Sequence, residues 1–222
     1  MGFRQRVRSL KKRIDATVRV ILIGGSSNVG KSTVAQALAE KLGWRCVSTD
    51  SLAKHPGRPW RQTAAKIPDH VAEHYLSLKV NELVESIILH HRKMSPLVAE
   101  LIRATAKDAG LGKLVLEGSA LWPFITTGHR LKEVGAVWLT ASPETLRTRI
   151  YDASGFPTAN EKSRAMISRF LERTLLFDQR TAQLVREHGC RVVNVDEYKT
   201  TEALVGNIID EANSAALRDR QR

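Results

Sequence analysis

No stretch of this sequence holds the run of about 20 apolar residues that crossing a bilayer requires. The basic start MGFRQRVRSLKKRID leads into no apolar segment, so it does not read as a secretory signal. Arg6 stands where a myristoylation signal needs Ser or Thr. Cysteine is nearly missing. Cys46 and Cys190 are far apart and lack ligand spacing, which excludes a disulfide framework and fits buried thiols in a reducing compartment. These absences imply a cytoplasmic protein with no membrane partner. Internal repeats, low-complexity tracts and Gly/Ser linkers are lacking too. With 222 residues, 42% of them hydrophobic, the chain reads as one domain over 1–222 with a sizeable core.

Acidic residues are sparse in two places, although the chain as a whole carries a net charge of +12. Residues 1–19 hold seven basic side chains against Asp15 alone. Such an arm is either solvated or a contact for nucleic acid or an acidic partner. Residues 54–66 contain no acid at all.

What is present is a phosphate cradle. In VILIGGSSNVGKST, residues 20–33, an apolar run stops at two glycines, and Gly25 to Ser32 reads G-x-x-x-x-G-K-S before a helical pattern begins. Glycine lets successive backbone N–H groups turn inward around phosphate oxygens, and the helix start adds its positive dipole end. Lys31 is placed to reach the β- and γ-phosphates and Ser32 to ligate Mg²⁺. The nucleotide contacts expected are Gly25, Ser26, Ser27, Asn28, Val29, Gly30, Lys31, Ser32 and Thr33, with ATP and Mg²⁺ as cofactors. No strand is followed by the DxxG or [NT]KxD segment typical of a GTPase switch.

Strands are expected over residues 18–23, 46–49, 114–116, 136–139 and 192–195. Helices are expected over 31–42, ended by Gly43, from Ser142 onward with Pro143 at the first helical position, and over 201–217. Strands alternating with helices imply a parallel sheet covered on both faces. Residues 51–112 read as a helical insertion, with helices over 71–91 and 97–109 broken at Ser95-Pro96. It would cap the sheet's C-terminal edge, where ligands bind in open α/β sheets, and would bind the acceptor.

The strand ends carry the remaining chemistry. After strand two, in CVSTDSLAKHPGRPW, Asp50 is placed to orient an acceptor hydroxyl and take its proton; capping the next helix is the other use of an aspartate there. Lys54, His55, Arg58 and Arg61 follow as a site for an anionic acceptor. After strand three, in KLVLEGSALWP, Glu117 is expected to support Mg²⁺ or the acceptor, and Gly118 to let the backbone pass close to the ligand. Residues 151–165 read as a flexible lid. Arg169 and Arg173, four apart on one helix face, are assigned to the transferring phosphoryl group and Arg149 to the nucleotide. Arg164 and Arg180 read as surface residues. His70, His74, His90 and His91 have no ligand spacing and read as helix-face residues. Trp44, Trp60, Trp122 and Trp138 read as packing residues, with Trp60 or Trp122 available to line the acceptor pocket.

With residues 25–33, Asp50, Glu117-Gly118 and the arginines in place, the chain resembles the P-loop small-molecule kinases of the adenylate-kinase-like group. It is similar to 2-phosphoglycerate kinase in its GGxSxxGKST loop and strand-Glu-Gly segment. It is similar to chloramphenicol phosphotransferase in Asp50-Ser51-Leu52, whose aspartate is that family's proposed base, and to zeta toxins in Asp50 and His55-Pro56. Ala153 departs from related nucleotide kinases, which often carry a second arginine there. The resemblance implies an α/β fold: a three-layer P-loop NTPase fold with a five-stranded parallel sheet and a helical insertion between strands two and three. It implies ATP- and Mg²⁺-dependent phosphoryl transfer to a hydroxyl of a small, anionic acceptor by a monomer or homodimer. A nucleoside or nucleotide kinase is the first alternative. An RNA kinase or ATP-gated nucleic-acid binder is the second, so nucleic acid is the less favoured partner.

Overall fold

The computed structural model describes residues 13–52, 57–61, 66–124 and 131–218, the side chains of 215–218 excepted. In chain order the elements are β1 (Val20–Gly25), α1 (Lys31–Leu42), β2 (Arg45–Ser48), α2 (Asp69–Ser77), α3 (Val80–Lys107), β3 (Leu114–Glu117), β4 (Val134–Thr140), α4 (Pro143–Ser154), α5 (Glu161–Glu187), β5 (Val192–Asn194) and α6 (Thr201–Arg218). All strand pairs are parallel, in the order β2-β3-β1-β4-β5. This is the P-loop NTPase arrangement, with the expected helical insertion between β2 and β3.

Alternation along the central strands sorts their side chains to two faces. Ile21, Ile23 and Val115 pack with α1 and α6. Val20, Leu22, Leu114 and Leu116 pack with α3 and Phe177 of α5. Each of these side chains is buried on both strand edges and under a helix, so truncating one to alanine costs about 2–5 kcal/mol. A third cluster joins α2 to the start of α5 through Val71, Tyr75, Met166 and Phe170. No helix among the described residues is long and apolar enough to cross a membrane.

Five expectations need correction. The first strand runs on through Gly24 and Gly25. Gly24 can stay in the sheet because the Trp138 indole occupies the place of a Cβ, which would lie 2.2 Å from its Cδ1. Ser95-Pro96 does not break the insertion. The buried stripe of Val84, Ile87, Met94, Val98 and Ile102 runs unbroken past exposed Pro96. That apolar face outweighs the single backbone hydrogen bond proline removes. The helices part instead at Leu78-Lys79, where the Glu82 carboxylate accepts from the Lys79 N–H at 2.6 Å. Residues 151–165 are not a flexible loop. Gly155, at φ 64°, closes α4, one 3-10 turn follows, and the Asn160 side chain caps α5. The polar residues that suggested a loop serve as helix caps. Finally, Arg19 is no part of a solvated arm, because its guanidinium bonds the carbonyls of Thr105, Asp108 and Gly112. Residues 1–12 lie outside the described residues. Cys46 and Cys190 are half-buried rather than buried.

Candidate active site

A cleft of about 1170 Å³ opens at the C-terminal edge of the sheet. Its floor is the loop between β1 and α1. Gly25 takes φ 133° with the Leu139 carbonyl where a Cβ would stand, and Gly30 takes φ 102° at the start of α1. Asn28 reaches φ 61°, a left-handed conformation that asparagine tolerates better than most residues. Lys31 is 8% exposed and its Nζ donates to the Ser26 carbonyl at 2.6 Å. Burial pushes the Lys31 ammonium below its ordinary pKa, against the opposing pull of Glu117 and Asp50. Arg149 on α4 donates from Nη1 to the Val29 carbonyl at 2.8 Å. It therefore stands against the loop between β1 and α1.

Parallel register sets Ser48, Glu117 and Ile23 side by side. Glu117 thereby faces the loop and accepts from Ser32 Oγ at 3.0 Å. This hydroxyl–carboxylate pair is a hard-oxygen donor set suited to Mg²⁺, which takes few protein ligands and completes its shell with phosphates and water. Among the described residues no cluster of three His, Cys, Asp or Glu forms a metal cage. Asp50 lies one short turn beyond β2. Ser48 caps that turn, its Oγ accepting from the Asp50 N–H at 3.3 Å. The exposed Asp50 carboxylate is not the cap, and it lines the cleft. Gly118 is not among the residues that line the cleft. A Cβ there would stand 1.8 Å from Thr49 Oγ1, so glycine is needed for β2 and β3 to end side by side.

The wall of the cleft opposite the loop is built from separate elements. Arg58 and Arg61 are exposed and line the cleft, with Arg58 over the Trp60 ring at 5.7 Å. Lys54 and His55 lie outside the described residues. Arg173 is only 3% exposed, donates to Tyr75 Oη at 2.8 Å, and stacks 4.4 Å above Phe170. Tyr75 Oη in turn donates to the Gly57 carbonyl at 2.8 Å, tying α2 to the segment that carries Arg58. The structure separates Arg169 from this group: it is exposed, pairs with Glu172 at 3.3 Å, and stands outside the cleft. Four residues turn a helix by 40° past a full turn, which carries Arg169 over the edge of the buried stripe.

Arg164 bonds the carbonyls of Phe156 and Pro157, and Arg180 pairs with Glu85, so both are surface residues as expected. Trp60 and Trp122 are buried beside the cleft rather than lining it. His70, His90 and His91 line the cleft, a placement not foreseen from sequence. Asp178 on α5 was also missed. It is 8% exposed and accepts from Ser26 Oγ and Thr140 Oγ1. Its signal in the sequence is an acid standing on the apolar stripe of Phe170, Phe177 and Val185.

A family model described as an AAA domain matches residues 21–167. A shikimate kinase of Oleidesulfovibrio alaskensis is 43% identical over 54 residues, 24% of this chain and 27% of that protein. The match thus spans about a quarter of that curated relative's length. Among solved structures, a sugar kinase from Janibacter sp. HTCC2649 superposes with a TM-score of 0.51 at 17% identity, covering 89% of this chain and 98% of that one. A gluconokinase from Sinorhizobium meliloti 1021 gives a TM-score of 0.41 at 18% identity, covering 90% and 91%.

Proposed function

The chain belongs to the AAA-domain family, and from that premise we propose that it transfers the γ-phosphoryl group of ATP to a hydroxyl of a small anionic molecule. The observation that carries this reading is the presence of Asp50, the phosphate loop and Arg173 in one cleft. A phosphate loop alone would serve hydrolysis or binding equally. A carboxylate and a buried guanidinium in the same cleft as the loop are what an acceptor requires.

The loop N–H groups and Lys31 hold the β- and γ-phosphates, with Arg149 bracing the loop from outside. Lys31 exchanges its bond to the Ser26 carbonyl for one to phosphate. Ser32 and Glu117 would hold Mg²⁺, which neutralises charge on the β- and γ-oxygens when bound. Asp50 accepts the proton of the acceptor hydroxyl as its oxygen bonds to the γ-phosphorus. The bond from that phosphorus to the bridging oxygen breaks, and ADP leaves. Arg173 keeps donor N–H groups beyond the one given to Tyr75, and with Arg58 and Arg61 it favours a carboxylate or phosphate on the acceptor. The shikimate kinase and sugar kinase resemblances support a small hydroxylated acceptor.

A coupled ADP-release assay tests this with sugar acids, phosphoglycerates, nucleosides, nucleotide sugars and short RNA. The expected result is ADP release stimulated by an anionic hydroxy compound and lost in both Lys31→Ala and Asp50→Asn. Undiminished turnover by Asp50→Asn would remove the assigned base, and stimulation by RNA alone would replace the small-molecule reading.

A further inference from the structure

Behind the phosphate loop stands a carboxylate that phosphoryl transfer as described does not use. Asp178 accepts from Ser26 Oγ at 2.6 Å and from Thr140 Oγ1 at 2.5 Å. It has no ion-pair partner within 4.0 Å among the described residues. O–H···O distances this short are those of charge-assisted bonds. Ser26 is fully buried and works in two directions: its hydroxyl turns back to Asp178, and its carbonyl accepts from Lys31 Nζ. Thr140 ends β4, where it pairs with Asn194 of β5, so one side of the carboxylate is anchored to the sheet. The charged groups acting on Asp178 are Lys31 from α1 and Arg186 from its own helix. Burial pushes its carboxyl above the ordinary range, while the two hydroxyls and these two cations pull the other way.

An apolar side chain would fill this slot between α5 and the sheet without the cost of burying a carboxylate. What the carboxylate adds is direction. It fixes the Ser26 side chain, hence the plane of its peptide, hence the carbonyl against which Lys31 rests. We propose that Asp178 is a positioning residue that sets the phosphate loop and Lys31 for the phosphates of a bound nucleotide. This rests on the nucleotide reading of the loop. Asp178 lies five residues after Arg173 on α5, so one helix carries both the acceptor's guanidinium and the support of the nucleotide's cradle.

The test is a double-mutant cycle on the intact chain, with Mg²⁺–ATP affinity measured by titration calorimetry and melting temperature recorded beside it. Asp178→Ala and Ser26→Ala should each weaken Mg²⁺–ATP about 10-fold, and the double variant should be no more than about 2-fold weaker than either. Asp178→Asn keeps one acceptor and one donor for the two hydroxyls and should return affinity to within about 3-fold. Thr140→Val loosens only the anchor and should weaken binding about 3-fold, which keeps the test open if Asp178→Ala does not fold. Wild-type affinity in Asp178→Ala with a lowered melting temperature would reduce Asp178 to a packing role and overturn the assignment. So would losses that multiply in the double variant. Failure of the wild-type chain to bind Mg²⁺–ATP would instead overturn the nucleotide reading itself.

Discussion

The two ends of the cleft are made of different materials. At the nucleotide end, residues 24–33 are contiguous, and the binding groups are backbone N–H groups shaped by the angles of Gly25, Asn28 and Gly30. At the proposed acceptor end, the groups lining the cleft are side chains: Asp50 after β2, Arg58 before α2, His90 on α3 and Arg173 on α5. A backbone cradle depends on strained positions and close contacts, such as the Leu139 carbonyl against Gly25. A side-chain pocket depends on which residues project from helices that stand for other reasons. The first is fixed with the fold. The second can change its ligand while the three apolar clusters stay as they are.

Replacing Lys31 by Met should have the largest effect on this contrast. Loss of a donor to the transferring phosphate should lower kcat/KM on the order of 10³-fold. Stability should move the opposite way. Burial holds the folded pKa of Lys31 below 10.5, so the unfolded chain binds the proton more tightly. The penalty is full below the folded pKa and is relieved as pH rises toward 10.5. Lys31→Met should therefore melt above wild type at pH 7, and calorimetry across pH should show the gap closing in alkaline solution.

Arg173→Met comes next. It should cost about 10²-fold in kcat/KM for the acceptor, the scale of a lost charged hydrogen bond or two, with the KM for ATP within about 2-fold. Because a buried guanidinium gives way to an apolar chain of similar reach, the melting temperature should hold or rise. Equal losses for both substrates would erase the division between the two ends. Arg169→Ala should have the smallest effect, under about 2-fold in any constant, because its ion pair with Glu172 is a surface pair. A larger loss would return Arg169 to the site.

The same division decides what could be read before the fold was known. The phosphate loop, α1 with its Gly43 cap, and the Ser142 start of α4 are local features, and each stands where the sequence places it. Strands β1, β3 and β4 were legible because their centres are short, buried apolar runs. Arg173 and Arg169 were indistinguishable in the sequence, since only the packing of α2 against α5 buries one and leaves the other in water. The run through Pro96 was misread because a local helix breaker was weighed without the stripe that spans it. Asp178 was overlooked because its partners lie 152 and 38 residues away, and no spacing rule connects them.

The meeting of Gly24 and Trp138 has a consequence for how this chain can diversify. The indole lies where a Cβ at residue 24 would be, and its Nε1–H reaches across to the Leu121 carbonyl at 2.7 Å. Alanine at 24 would strike the ring, and a smaller residue at 138 would leave a void beside the loop and strand the Leu121 carbonyl. Each substitution is harmful alone, and each relieves only the steric part of the other's cost. The pair forms an epistatic lock, and in diverging lineages the two positions are expected to change together or not at all.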